Sequence, residues 1–143
     1  MDKEALKEDF SWVREDDRVL AVLLFGSVVQ GKDHAKSDID LTLVVPGGSH
    51  FYYDCEGVSR EKVEISEVLM KVFREVNVVS KDYDVHIFEE LPLHIQMRII
   101  EDHEVVSTKD LYGMHEYFYN YRKLWEDQKH RNTMTEEELK AGI

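Results

Sequence analysis

Cysteine is almost absent from the 143-residue sequence, where Cys55 stands alone. No internal disulfide can form and no cysteine cluster can hold zinc, which agrees with a reducing compartment and gives Cys55 no role. Long apolar runs are missing too: none approaches the roughly 18 residues of a membrane span. The opening Met1-Asp2-Lys3-Glu4 lacks the basic-then-apolar order of a signal peptide. A soluble, cytoplasmic protein that does not engage a membrane is expected. Basic residues are scarce, 18 against 30 acidic ones, leaving a formal charge of −12. Such a surface repels a polyanion, so DNA or RNA is disfavoured as the main substrate. A mononucleotide with its magnesium is a smaller problem, because the metal neutralises the phosphates and acidic ligands hold the metal. No repeat, low-complexity stretch or linker marks a boundary. With 43% hydrophobic residues the chain can build one core, and a single domain over 1–143 is expected.

What is present reads as alternating helices and strands. Leu6, Phe10 and Val13 recur at helical spacing between Asp2 and Asp17, with a solvated acidic face from Glu4 through Asp17. Arg18 to Phe25 is a nearly continuous apolar run stopped by Gly26, which suits a strand covered on both faces. Asp38 to Val45 forms a second strand, ended by Pro46-Gly47-Gly48. Pro46 to Gly57 is a loop whose Phe51-Tyr52-Tyr53 either flanks a ligand or covers one end of the core. Ser59 is a candidate N-cap for a crossover helix to about Val76, with Ile65, Leu69, Val72, Phe73 and Val76 on one stripe. Asp82 to Phe88 alternates as a third strand, and Pro92 opens a short helix with Leu93, Met97 and Ile100 on one face. Glu104-Val105-Val106 suggests a brief edge strand.

The last long element runs from about Lys109 to Arg131, with Leu111, Met114, Phe118, Tyr121 and Trp125 as its docking stripe. Thr135-Glu136-Glu137-Glu138 resembles a capping box before a final helical turn. One helix cannot also bury Tyr112, Tyr117 and Tyr119, so that surface either caps the core or meets another chain, of the same or a different kind. The fold class expected is α/β (α+β): a small mixed β-sheet flanked by helices, mainly on one face, with a site at the open edge. The core spans about 1–107 and a C-terminal helical extension about 108–143.

Two segments carry chemistry. Asp38 and Asp40 are two apart on a strand, so their carboxylates share one face, followed by Leu41, Leu43, Val44 and Val45 at the border of the core. Two adjacent anions need a cation, and hard oxygen ligands suit magnesium or manganese rather than zinc. Gly26-Ser27 lies at the C-terminal end of the preceding strand, where glycine lets a backbone approach a phosphate and Ser27 adds a hydroxyl and an N–H. Each segment alone is more simply a strand-ending turn or a solvated strand start. Phosphate on one side and metal on the other describe a triphosphate site.

The string Leu24-Phe25-Gly26-Ser27-Val28-Val29-Gln30-Gly31, then Ser37-Asp38-Ile39-Asp40-Leu41, resembles the signature of the polymerase-β-like nucleotidyltransferase superfamily: glycine-serine and, after ten residues, Asp-x-Asp. The short chain and the run Asp84-Val85-His86-Ile87-Phe88-Glu89-Glu90-Leu91-Pro92 are similar to its minimal, MntA-type branch. The resemblance implies that Gly26 and Ser27 bind the triphosphate and that Asp38 and Asp40 bind two Mg2+ ions, Mn2+ being an alternative. It also implies a carboxylate from the third strand. Asp84 is the choice, flanked by Tyr83 and Val85 where an unpartnered carboxylate is costly, although Asp82 has the same parity. Asp38, Asp40 and Asp84 are then both metal ligands and the catalytic carboxylates, with Asp84 helping to accept the proton of the attacking hydroxyl. His86 shares the face and either assists or is structural.

MntA-like antitoxins transfer AMP from ATP to a tyrosine of a HEPN-type ribonuclease toxin. The resemblance therefore implies ATP, or another NTP, as substrate and a HEPN-domain protein as partner. Two alternatives stand beside it: a catalytically silent antitoxin acting by binding alone, and a nucleotidyltransferase acting on a small molecule such as an aminoglycoside. Lys32, His34 and Lys36 in the spacer, and Arg98 on the short helix, either touch phosphates or are solvated.

Overall fold

The computed structural model describes residues 3–26, 39–48 and 64–140, the stretch 131–140 by its backbone alone. Among the described residues, four strands form one mixed sheet: β1 (Ala21–Phe25), β2 (Ile39–Val44), β3 (Tyr83–Ile87) and β4 (Glu104–Thr108). Their order is β3-β2-β1-β4, with β1 antiparallel to both neighbours and β2 parallel to β3. The helices are α1 (Lys3–Asp9), α2 (Ile65–Glu75), α3 (Leu93–Glu101) and α4 (Leu111–Lys140), with 3-10 turns at Ser11–Glu15, Pro46–Gly48 and Phe88–Glu90. Among the described residues no helix is long and apolar enough to cross a membrane.

The helices cover both faces of the sheet, not mainly one. Val22 and Leu24 of β1, with Leu41 and Leu43 of β2, pack under α1 and α2, while Ala21 and Leu23, with Val44, pack under α3 and α4. A strand apolar at every position needs two covers, so the continuous run in β1 already carries this outcome. The parallel β2–β3 pair requires a crossover, and α2 lies within it as expected.

Several boundaries differ from the sequence reading. The first helix stops at Asp9 and continues as a 3-10 turn; Leu6, Phe10 and Val13 are still buried together, because a 3-10 turn repeats every three residues, the Phe10–Val13 spacing. The acidic face before β1 is not wholly solvated. Asp16 is buried, accepting hydrogen bonds from Arg18 N (2.9 Å), Nε (3.0 Å) and Nη2 (2.8 Å), and from Lys71 Nζ (3.3 Å). The Arg18 guanidinium, foremost, holds the Asp16 carboxyl far below the usual range despite burial.

On α2 the buried line is Val68 and Val72, continued by Val76 beyond its end; Phe73, expected on that stripe, is 60% exposed because it is rotated about 100° from Val72. The expected cap Ser59 lies outside the described residues, as does 49–57 with its aromatics. Pro92 precedes α3 as its N-cap residue, and Gln96 Nε2 donates to Phe88 O (2.9 Å), tying the helix to the turn after β3. On α4, Met114, Tyr117, Phe118 and Tyr121 are buried and Trp125 is partly so, but Leu111 is 51% exposed. Asp110 caps this helix through Gly113 N (2.9 Å). No separate final turn forms at Thr135: α4 runs unbroken to Lys140.

Candidate active site

The site begins where β1 ends and where β2 and β3 start. Asp40 on β2 is opposite Phe25 of β1 on one side and Asp84 of β3 on the other. Neighbours in register point to the same face of a sheet, so the two carboxylates stand side by side on the α3–α4 face. Gly26 follows directly, with φ +84°, a left-handed conformation that favours glycine. Space requires glycine as well. A Cβ at position 26 would overlap Asp40 Oδ2 and approach Asp40 Cγ to 3.3 Å.

His86 is two residues beyond Asp84 and on the same face. Its Nε2 lies 3.1 Å from Asp84 Oδ2, and one ligand atom from each of Asp40, Asp84 and His86 falls within 4.8 Å of the others. The Phe25 ring packs against the imidazole at 6.0 Å between centroids. Thr42, the register partner of His86, is fully buried on this face, and among the described residues its Oγ1 has no hydrogen-bond partner. Two carboxylates, an imidazole and an orphaned hydroxyl on one face form a donor set that fits a divalent cation.

The structure brings together Gly26, Asp40 and Asp84 of the sequence-derived set. Ser27 and Asp38 lie outside the described residues, as do Lys32, His34 and Lys36. Asp82 is not on β3: it occupies a left-handed turn (φ 56°) just before the strand, where its carbonyl accepts Ile39 N (2.9 Å). Asp84 is the carboxylate beside Asp40. Arg98 is exposed on α3.

A second polar cluster escaped the sequence reading. Glu89, in the turn after β3, accepts Val45 N at Oε1 (2.8 Å) and Tyr117 OH at Oε2 (2.6 Å), and Tyr117 OH lies 2.9 Å from Tyr121 OH. Desolvation pushes the Glu89 carboxyl up to about 7, against the opposing pull of the Tyr117 and Val45 hydrogen bonds. Burial, then the Glu89 charge, pushes the Tyr117 phenol upward, so this hydroxyl stays protonated and donates. The signal available was Tyr117 and Tyr121 at i, i+4 on the docking stripe; nothing local pointed from them to Glu89.

Residues 10–112 match the family model described as polymerase beta, nucleotidyltransferase. The chain belongs to the polymerase-β nucleotidyltransferase family. A relative in Methanocaldococcus jannaschii, described as a candidate protein adenylyltransferase, is 36% identical over 114 residues, covering 80% of this chain and 75% of that protein. Solved structures share the fold of this nucleotidyltransferase. A chain of a toxin–antitoxin crystal structure with AMP-PNP aligns with a TM-score of 0.59 at 12% identity, over 93% of this chain and 97% of its own. A chain of a mutant MntA–HpeT toxin–antitoxin structure gives 0.60 at 9% identity, over 97% and 98%. A chain of the tri-AMPylated Shewanella oneidensis HEPN toxin in complex with MNT antitoxin gives 0.56 at 8% identity, over 96% and 98%.

Proposed function

We propose that this nucleotidyltransferase moves AMP from ATP to a tyrosine hydroxyl of a HEPN-type toxin partner and thereby acts as its antitoxin. The observation that carries the reading is Asp84 beside Asp40 on one sheet face, with Gly26 against Asp40, in a chain of this family. The description of the Methanocaldococcus relative and the toxin–antitoxin complexes that share the fold support protein modification. In this reading the whole chain is one domain, a core of about 1–107 with a helical extension of about 108–143, working in the cytoplasm.

Gly26 and Ser27 hold the triphosphate, and Asp38, Asp40 and Asp84 hold divalent ions, two Mg2+ or Mn2+. Bound there, such ions neutralise the phosphates and stabilise the departing pyrophosphate. The chain's own residues do the rest. Gly26 leaves room for Asp40 and for a phosphate, and Asp84 accepts the proton of the attacking hydroxyl. The new bond joins the tyrosine oxygen to the α-phosphorus, the α–β phosphoanhydride bond breaks, and pyrophosphate leaves with its electron pair.

Incubation with labelled ATP, Mg2+ and the toxin partner is expected to label the partner, and absence of transfer under every divalent metal tried would overturn the proposal. A silent, binding-only antitoxin is favoured by one feature, the outer face of α4, where Tyr112 is 74% and Tyr119 59% exposed. Asp38→Asn with Asp40→Asn separates the two: lost protection with retained binding supports catalysis, and full protection supports binding alone.

A further inference from the structure

We infer that His86 is an imidazole ligand of the site's cation and that it tunes the site toward manganese over magnesium. This rests on the reading above, in which Asp40 and Asp84 hold a divalent ion.

The distances carry the argument. Around an octahedral ion with bonds of about 2.1 Å, ligands at right angles stand about 3 Å apart and opposite ligands about 4.2 Å. Asp84 Oδ2 and His86 Nε2 are 3.1 Å apart, and a ligand atom of Asp40 lies within 4.8 Å of both. The Asp84–His86 pair thus has the spacing of adjacent ligands of one ion, and Asp40 from the neighbouring strand lies close enough to converge on it. The imidazole is placed for this by strand parity, which aims it to the face of Asp84, and by the Phe25 ring beside it.

An independent observation points the same way. Thr42 lies across from His86 in register, fully buried, with an Oγ1 that has no hydrogen-bond partner among the described residues. A buried hydroxyl without a hydrogen bond costs about 1–3 kcal/mol, so this face holds a polar atom for a bound group to satisfy.

Magnesium demands near-ideal oxygen coordination and sheds water reluctantly, whereas first-row transition ions accept an imidazole nitrogen beside carboxylates. Manganese keeps the octahedral preference and tolerates the mixed set. A site of carboxylates alone has no nitrogen to make that distinction.

The test uses Mn2+ alone, titrated into the full chain and followed by loss of the free-ion electron paramagnetic resonance signal, with Mg2+ affinity from competition. Pulsed resonance then reads nitrogen-14 coupled to the bound manganese. The wild type is expected to show that coupling. His86→Ala and the bulkier His86→Gln are expected to lose it and to bind Mn2+ about tenfold more weakly, with Mg2+ changed less than threefold. Manganese bound without nitrogen coupling, or with coupling that persists in both variants, overturns the role of His86 and leaves the carboxylate reading standing. The wild-type spectrum decides the first case even where a variant misfolds. No manganese binding at all, or binding indifferent to Asp40→Asn, overturns the carboxylate reading with it.

Discussion

Gly26→Ala isolates the geometric demand of the site. At φ +84° an L-residue costs about 1–2 kcal/mol relative to glycine. The added Cβ also overlaps Asp40 Oδ2 and sits 3.3 Å from Cγ and 3.4 Å from Cβ of Asp40. Asp40 cannot yield by swinging a long, free side chain, because it is short and its backbone is paired with Phe25 on one side and Asp84 on the other. The carboxylate must therefore move by about 1 Å, a displacement that can cost about 100-fold in rate when a reacting group is involved. Stability should fall by about 1–3 kcal/mol, lowering Tm by roughly 3–10 °C for a domain of this size. The assay is AMP transfer from labelled ATP at a temperature where thermal scans show both proteins fully folded. Gly113→Ala is the control. There the Cβ meets Asp110, the cap of α4, far from the carboxylates in sequence, and a weakened cap is partly offset by alanine's better helix propensity. It should leave transfer unchanged. A folded Gly26→Ala protein that transfers AMP at the wild-type rate would refute the idea that this close approach shapes the site.

Asp84→Asn is expected to abolish transfer, by about 10³-fold or more, while nucleotide binding measured by calorimetry is partly retained; equal loss of both would mean its role is not proton transfer. Glu89→Gln should alter how stability responds to pH. With its folded value raised from the usual 4.5 to about 7, Glu89 keeps its proton in the folded state while the unfolded chain has lost it. Its contribution is therefore complete below about 4.5 and is lost as pH rises through 7, an effect of up to about 3 kcal/mol. Denaturant midpoints from pH 4 to 8 should show that fall flattened in Glu89→Gln, and an unchanged slope would count against it. Asp16→Asn should cost about 1–3 kcal/mol at neutral pH, read from urea unfolding. Because the Asp16 carboxyl is depressed, its contribution is present above the ordinary carboxylate range and disappears as pH falls through and below that range, so wild type and variant should converge in acid.

Much of this architecture was legible because local pattern and global packing agree. The apolar run stopped by Gly26 is an inner strand of the sheet; the two-residue spacing of Asp38 and Asp40 predicts a shared face, but of the pair only Asp40 is among the described residues. Asp84 is expected over Asp82 because an unpartnered carboxylate within the strand is costly to bury, but Asp84 is exposed, and what separates the two is backbone conformation: Asp82 turns into the strand from a left-handed residue that no periodicity reveals. Helix extents were less legible. Leu6, Phe10 and Val13 suit an α-helix and an α-to-3-10 junction equally, and side-chain burial does not distinguish the two. Helical spacing with Ile65, Leu69 and Val76 puts Phe73 on the inward stripe, but Val68 and Val72 form the buried line of α2. The continuity of α4 past Thr135 defeated the capping-box pattern, which marks where a helix is able to start and does not oblige it to start there.

The Glu89 cluster was illegible for a different reason, and it bears on the site from a distance. β2 and β3 pair at a constant offset of 44 residues, Asp40 with Asp84 and Leu43 with Ile87, and the Val45–Glu89 hydrogen bond prolongs the same offset past the last ladder pair. Tyr117 of α4 completes the clasp from 28 residues further along the chain. Only the assembled fold creates this contact, so neither strand's sequence announces it. Val45 is five residues from Asp40, about 16 Å along an extended strand, so Glu89 does not touch the proposed cation site. Its effect is on register. A slip of one residue would turn Asp84 to the opposite face from Asp40 and scatter the donors of the site. Hydrophobic burial resists that slip along the α1–α2 side, where Leu41, Leu43, Val85 and Ile87 are interlocked. On the side that bears the carboxylates, Thr42 and His86 are polar and add little apolar resistance. The Glu89 hydrogen bonds supply directional pairing at the far end of those same strands, which is where a register shared by the two carboxylates of the proposed site most needs it.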